Sequence, residues 1–289
     1  MMKSRTQSHS LQMHPNMRKI IMTLLLLIFL TACSTAQQGR GSGTPDGLHI
    51  LFIEFQPRSE LKQDEYFDIG LKLENRAECQ VEGEVCIRDT FAESISGVRN
   101  DCQSFELMEK DGGIIDTENI YFQDNVYTNP SADLKSTIIA KAMYSCSIQL
   151  TPQICVKPDL EDEKTCKIRE TLSQSTLGLK QAPITVASID KTLIPQKDGI
   201  NLEVAIHLRK MNEGSPRDFN INVEYEGYGP LACRDADRLD FSTNTENIIN
   251  CKIPTNVQDI EENPLRITLS YVYEITASKQ IKIIKEGDN

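Results

Sequence analysis

The residues with the most legible chemistry are the nine cysteines of this 289-residue chain. Cys33 closes an apolar N-terminal run, where a thiolate is a nucleophile able to take up a lipid as a thioether. The other eight, Cys79, Cys86, Cys102, Cys146, Cys155, Cys166, Cys233 and Cys251, follow at wide spacings. An even number of cysteines in an exported chain reads as a set of disulfides. Zinc would need close pairs such as C-x2-C, and the closest spacing is Cys79 to Cys86, so no metal or other cofactor is expected. Histidine, the usual acid–base residue at neutral pH, occurs after the leader only as His49 and His207, and both are expected in surface roles. The chain has no G-x-S-x-G, H-E-x-x-H, P-loop or dinucleotide fingerprint, so no enzymatic activity is expected. Two acidic groups, Asp159, Glu161, Asp162 and Glu163 and then Asp235, Asp237 and Asp240, lack the spacing that wraps oxygens around calcium; solvated loop tips are expected.

The elements that carry these residues begin with a leader. Lys3, Arg5, Arg18 and Lys19 precede an apolar run from Ile20 to Leu30, interrupted only by Thr23. As a helix that run covers about 16 Å, against the roughly 30 Å of a bilayer core, so a secretory signal fits better than a membrane span. It ends in Leu30, Thr31, Ala32 and Cys33. This tetrapeptide resembles the lipobox of bacterial and archaeal lipoproteins, which implies that Cys33 is lipidated and becomes the first mature residue. The competing reading is cleavage after Ser34, Thr35 and Ala36, which would discard Cys33. Met17, directly before Arg18 and Lys19, is a second candidate initiator. The lipobox reading puts the protein on the extracytoplasmic face of the membrane.

Removing 32 residues from 289 leaves 257, which suits two domains. All 42 acidic residues but only 27 of the 31 Lys and Arg lie in this part, a formal charge of −15. Such a surface excludes nucleic acid as a partner. Residues 33–47 have the Ser, Thr, Gln, Gly and Pro composition of a flexible tether.

Beyond the tether, apolar residues recur at every second position: Phe67 to Leu73, Ile138 to Ile148, Leu202 to Leu208, Phe219 to Tyr225 and Leu265 to Tyr273. A period of two with one apolar face predicts antiparallel sheets packed together, an all-β chain. The polar stretch Ser173 to Pro183 divides it into two β-sandwich domains in tandem, 48–178 and 182–289. The two segments open alike, with a strand, about ten polar residues and an alternating strand, as diverged copies would. Tyr144, Ser145 and Cys146 form Y-x-C on a core face. This resembles the tyrosine-corner strand of immunoglobulin-like domains. The resemblance implies two immunoglobulin-like sandwiches and a Cys79–Cys146 bond between layers, although the chain has no tryptophan to pack on it. Cys233 and Cys251 are the only cysteines after the boundary and are expected to pair. Cys155 and Cys166 flank a polar turn and would staple a hairpin whose tip carries Asp159, Glu161, Asp162 and Glu163. That tip reads either as a contact loop for a basic partner or as a solubilising one. The connectivity of the six cysteines in the first domain stays open.

The function expected on these grounds is a lipid-anchored cell-surface protein for binding, adhesion or envelope structure. Its partners would be the membrane, through the anchor, and a protein or other surface macromolecule. The alternative is a tethered solute-binding or assembly-accessory subunit of a transport or pilus system, with a tethered enzyme as a third reading.

Overall fold

The computed structural model describes residues 47–286 apart from 92–96, 129, 131, 159, 161–164, 174–176, 178–179, 198, 212–213, 235 and 237–238. Cys33, the tether before Gly47, and Asp159, Glu161, Asp162 and Glu163 thus lie outside the described residues. The described chain is all-β and its sheets form two layers. One layer holds a three-stranded sheet of β1 (Leu48–Phe52), β3 (Tyr66–Asn75) and β6 (Asp116–Val126). It also holds a five-stranded sheet of β9 (Arg169–Ser173), β10 (Ile184–Gln196), β11 (Gly199–Lys210), β14 (Ala232–Arg234) and β15 (Glu246–Thr255), in the order β14-β15-β11-β10-β9. The other layer is one large sheet. Its main path uses β4 (Val81–Asp89), β5 (Asp101–Leu107), β7 (Leu134–Leu150), β12 (Ser215–Tyr225), β13 (Gly229–Pro230) and β16 (Glu261–Ile284), in the order β13-β12-β16-β7-β4-β5. Two short strands, β2 (Glu60–Lys62) and β8 (Gln153–Val156), add to the sides of β16.

The apolar alternation in the sequence produces this arrangement directly. Ile69, Leu71 and Leu73 of β3, Ile138 to Leu150 at every second position of β7, and Leu202 to Leu208 of β11 are all buried. Their neighbours along each strand point to the other face, so each sheet has one dry and one wetter side. Tyrosines cross between the layers. The Leu48 amide donates to the Tyr144 hydroxyl at 3.4 Å, and the Ile184 amide donates to the Tyr271 hydroxyl at 3.1 Å. A buried hydroxyl needs such a partner, and here each one ties the last long strand of a half to that half's first strand.

The two halves repeat one strand order. In the first, β1-β3-β6 faces β7-β4-β5; in the second, β10-β11-β15 faces β16-β12-β13. The halves meet through their last strands, because β7 and β16 pair antiparallel over 17 positions from Leu134↔Ile283 to Leu150↔Ile267. Tyr144 lies opposite Tyr273, and Cys146 opposite Tyr271. The Tyr-x-Cys of β7 therefore corresponds to Tyr271-Val272-Tyr273 of β16, with tyrosine where the first half has cysteine. In an immunoglobulin sandwich the strand beyond the tyrosine-corner strand is the domain's own last strand. Here the opposite half supplies it.

The halves are thus two sandwiches with a sheet in common, and the described residues fall in one compact unit. The boundary region does not divide the strands cleanly: β8 pairs with β16 and β9 pairs with β10, while β2 pairs in parallel with the far end of β16. Between β12 and β2 the edge of β16 is guarded. Lys279 turns its Nζ to the Pro57 carbonyl at 2.6 Å and lies 5.9 Å from the Phe52 ring centroid. A lysine directed inward at an open edge opposes addition of a foreign strand.

Four disulfides form among the described residues, two of them directly across a strand ladder. Cys79 bonds Cys146 between the layers, as the resemblance implies, and Cys233 bonds Cys251 across the β14–β15 ladder. Cys155 bonds Cys166, and Cys86 bonds Cys102 directly across β4 and β5. Packing requires glycine at position 83: Gly83 stands opposite Tyr144, and a Cβ there would collide with the Met143 carbonyl and the Tyr144 backbone.

Candidate functional site

The outward face of the five-stranded sheet carries a set of convergent polar side chains. Its ladders align Thr171 (β9), Asp190 (β10), Ala205 (β11), Asn250 (β15) and Arg234 (β14) in a single row across all five strands. The next row includes Thr192, Glu203 and Lys252, and the row on the other side includes Ser188, His207 and Ile248. Strands alternate faces, so these residues stand outward because Ile189, Val204, Ile206 and Cys251 stand inward. Ala205, at the centre, has the smallest side chain. The result is a groove of about 420 Å³ floored by Ala205 and bounded by Asp190, Glu203, Asn250, Lys252 and Arg234.

The groove is fixed on one side by a short network. Thr171 Oγ1 donates to Asp190 Oδ1 at 2.6 Å, and His207 Nε2 is 2.8 Å from Asp190 Oδ2. The Thr171 hydrogen bond, followed by the His207 contact, holds the Asp190 carboxyl below the usual carboxylate range against the opposing effect of burial. Stability from this arrangement is present above the unfolded carboxylate value and falls away as pH drops through the lowered folded value. Asp190 is a weak base, and the Thr171 hydroxyl donates its hydrogen bond to it, not to His207. A nucleophilic relay needs the histidine in the middle, so the trio orients side chains without activating a hydroxyl. On the other side are charges of both signs. Among the described residues Glu203 and Lys252 stand directly opposite in the ladder without an ion pair between them.

The residues singled out from the sequence fall in several places. His207 is on the solvent face as expected, yet it is engaged with Asp190. His49 is a correction: it stands opposite Glu74 in the β1–β3 ladder and both are buried, at 7% and 8% exposure. Asp240 accepts bonds from the Ser242 amide at 2.8 Å and the Thr243 hydroxyl at 3.0 Å, the pattern of a turn cap. The Cys155–Cys166 bond joins the two ends of the acidic segment, but the expected hairpin is not formed by its flanks: among the described residues β8 pairs with β16 and β9 with β10, not with each other, and Leu160 packs against the core. Glu84, Cys86 and Cys102 bring three potential ligand atoms within 4.8 Å of one another, but the two cysteines are joined and present no thiolate.

Sequence reasoning missed Thr171, Asp190, Glu203, Ala205, Arg234, Asn250 and Lys252, because only the register of five strands brings them together. It also missed Lys191, whose side chain is fully buried. Its Nζ donates to the Cys155 carbonyl at 2.9 Å and lies 3.7 Å from Glu170 Oε2, fastening β10 to β8 and β9 at the two ends of the acidic segment. Burial pushes the Lys191 ammonium down, with Glu170 opposing. Comparison with known families finds no family model that matches the chain, and comparison with curated proteins finds no match.

Proposed function

We propose that this is a lipid-anchored, extracytoplasmic binding protein that engages a macromolecular partner with the outward face of its five-stranded sheet. The observation that carries the reading is the groove over Ala205, a polar depression with charges of both signs on a rigid sheet face. Rigid strands position such groups with little ordering cost on binding. The groove is open to one side. Enclosed solute sites bury most of their ligand, so a side chain or sugar protruding from a larger partner suits it better than a free solute. In the order Thr171, Asp190, His207 the hydroxyl is held by a weakly basic carboxylate and not by the histidine, which supports binding over nucleophilic catalysis. Four disulfides suit an oxidising compartment and support export, as does the leader that ends at Cys33.

Filling the groove tests the binding face. Ala205→Trp adds a ring on the solvent side and leaves the core untouched, so its stability change should stay within about 1 kcal/mol. Partner capture by the soluble domain should fall at least about tenfold, the equivalent of roughly 1.4 kcal/mol. Unchanged capture with unchanged stability would place the partner elsewhere. The acidic segment is the competing contact, and Asn or Gln at Asp159, Glu161, Asp162 and Glu163 would then remove the binding and its salt dependence.

The anchor has its own test. Stable attachment takes two or more lipid chains, which a lipidated Cys33 would supply. Cys33→Ser should move the protein from the membrane fraction to the soluble one. A variant that stays in the membrane would contradict anchoring at this residue.

A further inference from the structure

We infer that Cys86–Cys102 is a thiol-exchange site, opened by small thiols and dithiols while the other three disulfides stay closed. Exchange requires a thiolate to approach one sulfur from the side opposite its partner. The other three bonds offer less: Cys79 and Cys146 are both buried, at 1% and 2% exposure, and Cys155–Cys166 and Cys233–Cys251 each join a half-buried cysteine to a buried one, so that only one sulfur of each is within reach and none is exposed. Cys102 is exposed and Cys86 only half-buried. Their bond lies between β4 and the edge strand β5, which among the described residues has no further neighbour in its sheet.

The sheet remains held when the bond opens. β4 and β5 are paired from Val81↔Leu107 to Ile87↔Asp101, and Val85, Ile87, Phe105 and Leu107 are buried beneath them. Opening therefore exposes two thiols on a standing ladder.

The chemistry balances with a dithiol as the reductant. Its thiolate attacks Cys102 Sγ, the S–S bond breaks, and Cys86 leaves with the electron pair. The second thiol then attacks the mixed disulfide, expels Cys102 and closes the reductant into a cyclic disulfide. The two protons given up by the dithiol end on Cys86 and Cys102. A monothiol stops at the mixed disulfide on Cys102, which is a covalent modification of the edge strand.

Glu84 sets the rate. Its Oε2 is 3.9 Å from Cys86 Sγ, and because a disulfide sulfur has no proton this is a charge beside the bond, not a hydrogen bond. A carboxylate there disfavours Cys86 as a leaving thiolate and repels an anionic attacker.

The experiment exposes the folded soluble domain briefly to dithiothreitol, quenches it with an alkylating agent and maps the labelled peptides. Cys86 and Cys102 should be labelled at least about tenfold faster than the other six, with the far-UV spectrum unchanged. In low salt Glu84→Gln should speed their labelling by about two- to fivefold, and the difference should shrink in high salt. Earlier or simultaneous labelling of Cys155 and Cys166, of Cys233 and Cys251, or of all eight together would overturn the assignment. An unchanged rate for Glu84→Gln in low salt would overturn the role given to the carboxylate.

Discussion

A fragment of residues 48–178 should fail to form a stable monomer, although its sequence looks like a complete sandwich. In the intact chain β7 pairs with β16 along its whole length, and β16 also carries β2 and β8. Removing residues beyond 178 leaves β7 with 17 unpaired positions on one side and strips Tyr271 and Tyr273 from beside Cys146 and Tyr144. A long exposed edge with alternating apolar residues invites pairing with another chain. The fragment also keeps β9 without its partner β10. Size-exclusion chromatography with thermal melting distinguishes the cases. Oligomers or a broad, non-cooperative melt are expected for the fragment, and one cooperative transition for residues 47–286. A monomeric fragment melting cooperatively within a few degrees of the longer chain would show that each half folds by itself.

The second large effect is expected on replacing both Cys79 and Cys146 with Ala. The bond closes a segment of 67 residues, the longest of the four, and chain entropy assigns about 4 kcal/mol to a loop of that size. Both cysteines are buried, so the smaller alanines also leave unfilled space beside Tyr271, whose hydroxyl lies 3.3 Å from Cys146 Sγ. For a domain whose whole stability is typically about 5 to 15 kcal/mol, this is a large fraction. In chemical denaturation the midpoint of the double variant should fall further than on removal of Cys233 and Cys251, whose 18-residue segment corresponds to about 3 kcal/mol. Equal losses from the two pairs would contradict the dominance of the inter-layer bond.

Much of the fold is legible in the sequence because alternation is a local signal. Phe67 to Leu73, Ile138 to Ile148 and Leu202 to Leu208 announce strands and their buried faces without reference to anything distant. Tyr-x-Cys likewise points to the inter-layer bond. The shared sheet is not legible, since nothing near Tyr144 indicates that Tyr273 lies across from it. The alternation in β16 also continues past Tyr273 through Ile275, Ala277, Ile281 and Ile283, but Lys279 interrupts it and hides the strand's true length. The candidate site fails to show for the same reason: Thr171, Asp190 and His207 sit on three strands, and each is ordinary in its own segment. A small residue between polar ones, Glu203-Ala205-His207 on one face, was the available hint of a depression. Lys191 is hidden differently, for a lysine in a strand reads as solvent-facing until its partners are placed.

Site-specific photo-crosslinking on intact cells tests most directly whether the partner meets the face of the five-stranded sheet. A photoreactive residue at Asn250, on the rim of the groove, is compared with one at Thr268, on the large sheet opposite Asn222 and Gln149. A discrete crosslinked product is expected from position 250 that disappears when Ala205→Trp is added, and none from position 268. A product from position 268 alone, or one from position 250 that persists with the groove filled, would contradict binding at this face.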